Sequence, residues 1–422
     1  MRKKLLAGIL ALALCSTNMP LQTIFAEEFT SGNSDVVSEE ETPKIFTNEE
    51  QETAGETDEE LSVFSSEEVP EFNDAPDEAM AAAENEQAGE IDLADNDKVT
   101  KGVYTIKSAG NHKFICSQET GNRIVVDGRN ILAGANINIY LNNVNINTFA
   151  GPALQIRGNV EAAVTIHLTG TNNLITKYTY SAGLQKDNEA PLIIKTNDSD
   201  TTAGILNARS INGDGAGIGG GGYFSCSNIT IKSCSVIASS KYGAGIGGGK
   251  QGIGSNITIK SASVTASSTD GAGIGGGGYG ADSVSDITIN SSSVTASSTN
   301  GAGIGGGYEY GGSCENITIN GGSVKASSVS GSPKNDQGKD VYCCTINNPG
   351  SLKVKVDGNP WTPGNHKNVD PDDPNNTNLY AWLTGKDHVI TVGENETSYI
   401  FDSESNKFKS NITPTITAYT GT

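Results

Sequence analysis

Arginine disappears from this 422-residue chain after Arg209. Histidine is scarce too: His112, His167, His366 and His388 are scattered over three regions. A polysaccharide lyase needs a strong base beside calcium held by acidic groups. A glycosidase needs two carboxylates across the scissile bond. From Gly215 to Ser328 the only acids are Asp270, Asp282, Asp286, Glu309 and Glu315. The expectation is therefore a protein that is not an enzyme, with a polysaccharide lyase as the third-ranked reading. The seven cysteines show no paired metal-ligand spacing and are few for a disulfide scaffold of this length. No basic footprint for nucleic acid is present. Past the first residues, no apolar run approaches the roughly 20 residues that cross a bilayer.

The opening segment reads as an export signal. Arg2, Lys3 and Lys4 precede an uncharged apolar run from Leu5 to Leu14, and Ile24-Phe25-Ala26 suits cleavage before Glu27. Leu12-Ala13-Leu14-Cys15 approaches a lipobox, although Leu14 stands where a small residue is usual. Residues 27–97 hold 25 Asp/Glu against one Lys, a net of −24 in a chain whose total is −21. High charge of one sign with few aromatics cannot bury enough apolar surface to offset ordering entropy. This stretch reads as a disordered, self-repelling spacer, and it leaves residues 98–422 with no net charge. The C-terminal residues carry no sorting motif or apolar tail. The expected localisation is secreted, extracellular or cell-surface associated.

Internal repetition dominates the remainder of the chain. Gly-Ala-Gly-Ile-Gly-Gly-Gly begins at Gly215, Gly243, Gly271 and Gly301. Each copy is followed by Asn228-Ile-Thr-Ile231, Asn256-Ile-Thr-Ile259, Asp286-Ile-Thr-Ile289 or Asn316-Ile-Thr-Ile319. A third block then begins at Ser235, Ser263, Ser293 or Ser323. All three blocks alternate with period two, as strands do, and Ser/Gly/Asn/Asp clusters separate them. Three short strands per coil of 28 to 30 residues describe a parallel β-helix, in which stacked coils bury continuous columns of Ile, Val and Ala. Strand candidates upstream are Val103–Ile106, Arg123–Val126, Ile137–Leu141, Val144–Ile146, Ala153–Ile156, Val164–Leu168, Leu192–Ile194 and Gly204–Leu206. The expected fold is all-β: a β-helix over 98–330, with the regular repeats at 215–330, then a small β-sandwich over 331–422. Open β-helix ends expose unpaired edges, so that sandwich would cap the coil. Cys226 and Cys314 fall three coils apart, roughly 14 Å at the inter-strand spacing. That is too far to bridge.

The Gly-rich motif lacks the Lys-Ser/Thr of a phosphate loop, and no helix follows it. Its glycines should alternate outward, suiting either close approach of another backbone or a flat, side-chain-free groove floor. Asn228, Asn256, Asp286 and Asn316 read as a stacked turn column. Asp214 and Asp270 precede the motif in two units, where the other units have Tyr242 and Asn300. Two carboxylates two coils apart read either as turn residues or as oxygen ligands for calcium, the one cofactor left open. Tyr223 and Tyr279 lie eight residues after the start of their motifs, Tyr308 and Tyr310 flank that place in the last unit, and Lys250-Gln251 occupy it in the second. Such a loop stripe could stack on sugar rings. It could equally cover core at the loop bases. Thr230, Thr258, Thr288 and Thr318 form an outward hydroxyl column.

Taken with Tyr104-Thr-Ile106, Ile137 to Ile146 and Val164 to Leu174, the GAGIGGG units resemble the carbohydrate-binding-domain-containing parallel β-helix surface proteins of Gram-positive bacteria. Asp340-Val-Tyr342, Val354-Lys-Val-Asp-Gly358 and Leu379 to Val392 look like a small PEGA-like domain. The resemblance spans about residues 98–403. It implies a right-handed, pectate-lyase-like coil that binds plant or bacterial cell-wall polysaccharide without cleaving it. The function expected is thus a polysaccharide-binding or adhesin-type β-helix protein. A structural spacer or protein-binding adhesin without lectin activity is the alternative.

Overall fold

The computed structural model describes residues 89–280, 284–309, 314–347, 349–350, 352–361 and 378–411. Residues 1–88, on which the expected export signal and most of the expected spacer fall, and Tyr310 lie outside the described residues.

Period-two alternation resolves into a β-solenoid of about seven coils with three parallel sheets. The Ile-Thr-Ile blocks form nine strands, from Ile91–Asp92 through Gly110–Ile115, Asn136–Asn142, Ala163–Thr169, Leu192–Thr196, Cys226–Lys232, Gly254–Lys260 and Val284–Asn290 to Cys314–Asn320. The Gly-rich blocks form eight: Val103–Ile106, Arg123–Val126, Leu154–Ile156, Leu184–Lys186, Ile218–Gly219, Ile246–Gly247, Ile274–Gly275 and Ile304–Gly305. The third blocks form seven, from Asn145–Thr148 to Ser323–Ala326. Register is in phase throughout. Ile137, Val164, Leu192, Ile229, Ile257, Ile287 and Ile317 stack in one inward column. Ile218, Ile246, Ile274 and Ile304 form another. All are buried in one continuous core. A lone coil has no such partner for its isoleucines, so stability comes from stacking.

Polar side chains also enter the core columns: Lys186 is wholly buried in register with Ile156, its ammonium donating to Asn188 O at 2.6 Å. Asn172 stacks above Leu206 and is wholly buried. Its Oδ1 accepts the Val144 N–H at 2.9 Å, and its Nδ2 donates to the carbonyls of Thr169 (3.1 Å) and Ile205 (3.3 Å). A buried amide bonded at both ends offsets its desolvation and ties three chain segments together.

The coil extends beyond both expected boundaries, the first drawn from charge and the second from the end of the regular repeats. The coil begins at Ile91–Asp92 rather than residue 98, because Ile91 pairs with Phe114 and Leu93 is wholly buried. Net charge marked the spacer's composition but not where the first buried leucine falls. At the other end the coil continues past residue 330: Val329 bridges to Ile304, and Lys334 to Thr318.

Two antiparallel sheets complete the chain. Val341–Ile346 pairs with Leu379–Thr384. Asn359–Trp361, Val354–Val356, His388–Val392, Asn395–Asp402 and Lys407–Asn411 form the second sheet, in that order. They enclose a core of Cys344, Ile346, Val354, Val356, Leu379, Ala381, Leu383 and Ile390. This unit closes the coil's end. The indole N–H of Trp361 donates to Gly322 O (3.0 Å) and that of Trp382 to Val324 O (2.9 Å). The Tyr380 N–H donates to the Ser323 hydroxyl (2.9 Å). These bonds gather on Gly322, Ser323 and Val324, at the start of the last third-block strand, whose edge stacking leaves open.

Candidate functional site

In the four regular coils the Gly-rich strand shrinks to two residues. The chain segments before and after it therefore meet, and their backbones interlock. Gly222 N–H donates to Tyr180 O, Lys250 N–H to Asp214 O, Gly278 N–H to Tyr242 O and Tyr308 N–H to Asp270 O, at 2.6–2.8 Å. Glycine makes this closure possible. Residues 215–222 are all buried, so of the two readings of the bare glycines the close approach of another backbone is the one observed. A Cβ on Gly219 or Gly247 would stand 2.0 Å from the carbonyl oxygen of the next coil's glycine.

The loops crown this closure. Tyr223, Gln251, Tyr279 and Glu309 share one position and one left-handed conformation, with φ of 63–70°. Tyr308 is thus the neighbour of the equivalent residue, and Glu309 holds the place itself. Around these loops runs a ridge of rings across successive coils. Tyr180 faces Tyr223 with centroids 6.1 Å apart, and Tyr279 meets Tyr308 edge-on at 5.8 Å. The Lys250 ammonium lies 5.2 Å from the Tyr242 ring and 5.4 Å from Tyr279, bridging the two. Lys241 lies 4.7 Å over Tyr242, and the Tyr242 hydroxyl holds its ammonium above the usual lysine value. Tyr180, Tyr223 and Phe224 are each more than half exposed.

Asp214 and Asp270 lie buried under the ridge and are not brought together. Two coil spacings, roughly 10 Å, separate them. Each has its own partners. Lys250 pairs with Asp214 at 3.6 Å. Asp270 accepts the Asn300 amide at 2.6 Å and the Tyr279 hydroxyl at 3.3 Å. Desolvation, then the nearby Asp270 charge, raises the Tyr279 phenol above its ordinary value, so it remains a donor. Each carboxylate thus anchors partners of its own, Lys250 for Asp214, and Tyr279 and Asn300 for Asp270. Among the described residues no group of three or more His, Cys, Asp or Glu is arranged to hold a metal.

Repeat alignment therefore found Tyr223, Tyr279 and Tyr308 but not Tyr180, Tyr242, Lys250 or Phe224 as members of one surface. A signal for Tyr180 existed. Ser181-Ala-Gly-Leu184 is a degenerate copy of Gly215-Ala-Gly-Ile218, with Leu184 in register with Ile218. Tyr180 thus occupies the position of Asp214.

A family model for the beta helix repeat matches residues 229–250, 257–278, 287–308 and 317–332, the regular coils that carry much of the ridge. The match covers four of the coils, and the fold around them is a parallel β-helix. No curated protein and no solved structure matches it. No helix among the described residues is long and apolar enough to cross a membrane.

Proposed function

We propose that this chain is an exported, surface-associated β-helix that binds polysaccharide along its tyrosine ridge without cleaving it. The observation that carries the reading is the row of rings on successive coils, exposed at Tyr180, Tyr223, Phe224 and Tyr308 and half-buried at Tyr242 and Tyr279. Tyrosine faces stack on the apolar faces of sugars while their hydroxyls, with the lysine ammoniums, serve the sugar hydroxyls. The backbone ladder beneath holds the ridge rigid, which lowers the ordering cost of binding. Asp214 and Asp270 are buried and committed to positioning partners, which supports a binding rather than a hydrolytic role.

The test is retention of the purified protein on insoluble cellulose, pectin and peptidoglycan, with and without calcium. We expect retention on at least one matrix, and on cellulose, which carries no charge, we expect it to be lost in the Tyr180→Ala/Tyr223→Ala/Tyr279→Ala variant. Absence of retention on all three would sink the reading and leave a protein-binding adhesin or spacer in its place. Release of unsaturated sugar products would replace it with a lyase.

A further inference from the structure

The outer face of the Ile-Thr-Ile sheet carries a second row of chemistry, unconnected to the ridge. Register stacks Lys113, Tyr140, His167, Lys195, Lys232 and Lys260 in one column, one per coil. Lys195, Lys232 and Lys260 therefore sit directly above one another, about 4.8 Å apart per coil. Like charges directly opposite across a parallel ladder are destabilising. The next two coils place Asn290 and Asn320 at the same position, so the fold does not need lysine there. Such a local violation is expected where a ligand supplies the compensation.

Counter-charge within the protein is limited. Asp198 pairs with Lys195 at 2.6 Å. Among the described residues Lys113, Lys232 and Lys260 have no ion-pair partner. His167, 7% exposed, stacks flat on Tyr140 with centroids 4.3 Å apart. Its Nε2 lies 3.2 Å from Asn138 Oδ1, while its buried Nδ1 has no partner. Beside the lysines, the long corner at 196–203 walls a groove of about 410 Å³. Its lining includes the hydroxyls of Thr196, Thr201, Thr202, Ser233 and Ser261, together with Asp198 and Asp200. On the other side runs the column Thr230, Thr258, Thr288, Thr318.

We infer that this face binds a linear acidic polysaccharide lying along the coil axis, with its carboxylates on the lysine column and its hydroxyls on the flanking Thr and Ser rows. Lysine is a point charge rather than a bidentate fork, so the column selects the spacing of negative charge more than the shape of the anion. Hydroxyl rows on both sides favour a sugar chain over a nucleic acid. The face is distinct from the tyrosine ridge, and either assignment stands if the other fails.

Affinity electrophoresis of the whole protein through gels containing alginate, neutral dextran or duplex DNA tests this, with EDTA present to remove calcium bridging. Retardation by alginate alone is expected, weakening as salt is raised. Lys232→Gln/Lys260→Gln should weaken it at least tenfold, and the fold already accepts an amide at that position. The triple tyrosine variant should retain it. No retardation by alginate at low salt, or retardation unchanged in the lysine variant, would overturn the inference. So would loss of alginate binding in the tyrosine variant. Equal, lysine-dependent retardation by DNA would overturn the choice of saccharide.

Discussion

Asn228, Asn256, Asp286 and Asn316 hold φ of 47–58° in the middle of strands that otherwise pair in strict register. Their neighbours Ser227 and Ile229 pair with Ser255 and Ile257, while the residue between is skipped. Asn and Asp tolerate this left-handed conformation better than other side-chain-bearing residues. The stacked column they form was legible from the repeat alone, and Asn316 donates to Asp286 at 3.1 Å. His167 was not legible, because its burial comes from Tyr140 one coil earlier and Lys195 one coil later. Desolvation, then the Lys195 charge, holds its pKa below the ordinary 6.5, with Asp198 opposing. A depressed imidazole pKa means the unfolded chain takes up the proton first. The stability from neutral His167 is thus fully present above about pH 6.5 and is lost as pH falls through the folded value. Thermal unfolding followed from pH 8 to pH 5 should show wild type losing more stability over this window than His167→Gln. Parallel profiles would refute the assignment.

At the scale of the coil, the Gly motif decides the architecture. Gly219, Gly247, Gly275 and Gly305 have φ of 130–135°, a region L side chains rarely adopt. In Gly247→Ala the new methyl would meet the Gly275 carbonyl as well as this φ. The expected loss is more than 1 kcal/mol, since replacing glycine at an incompatible conformation costs more than the ~0.4–1 kcal/mol gained at a compatible one. Chemical denaturation of that variant, beside a Lys260→Gln control expected to lose no stability because it relieves the Lys232–Lys260 repulsion, would measure it. The motif is a site of close backbone approach, as its bare glycines suggested. It is not an open floor, because nothing in a period-two pattern reveals that loops at both ends fold across the outer face.

For the whole molecule, the capping unit is what keeps a stack of parallel strands finite. Both tryptophans spend their N–H groups on carbonyls of the last coil, and Lys334 covers the Ile-Thr-Ile edge through bonds to Ile317 and Ile319. Uncapped strand edges template further pairing. The variant Trp361→Ala/Trp382→Ala should therefore self-associate, seen as a concentration-dependent rise in mass by light scattering while its far-ultraviolet dichroism stays that of β structure. A monomer indistinguishable from wild type would show that the edge is protected by other means.

Repetition by itself determined the fold class, the coil length, the inward columns and the candidate tyrosines of the regular units. Each comes from phase, and phase is preserved when identical strands stack at a fixed spacing. Tertiary structure alone decided which residues of different columns share a surface. Tyr180 joins Tyr223, Lys250 bridges Tyr242 to Tyr279, and Asp214 and Asp270 serve separate partners because the two-residue glycine strand pulls its flanking loops together. That contraction depends on backbone atoms meeting where side chains are absent, and a sequence pattern records side chains.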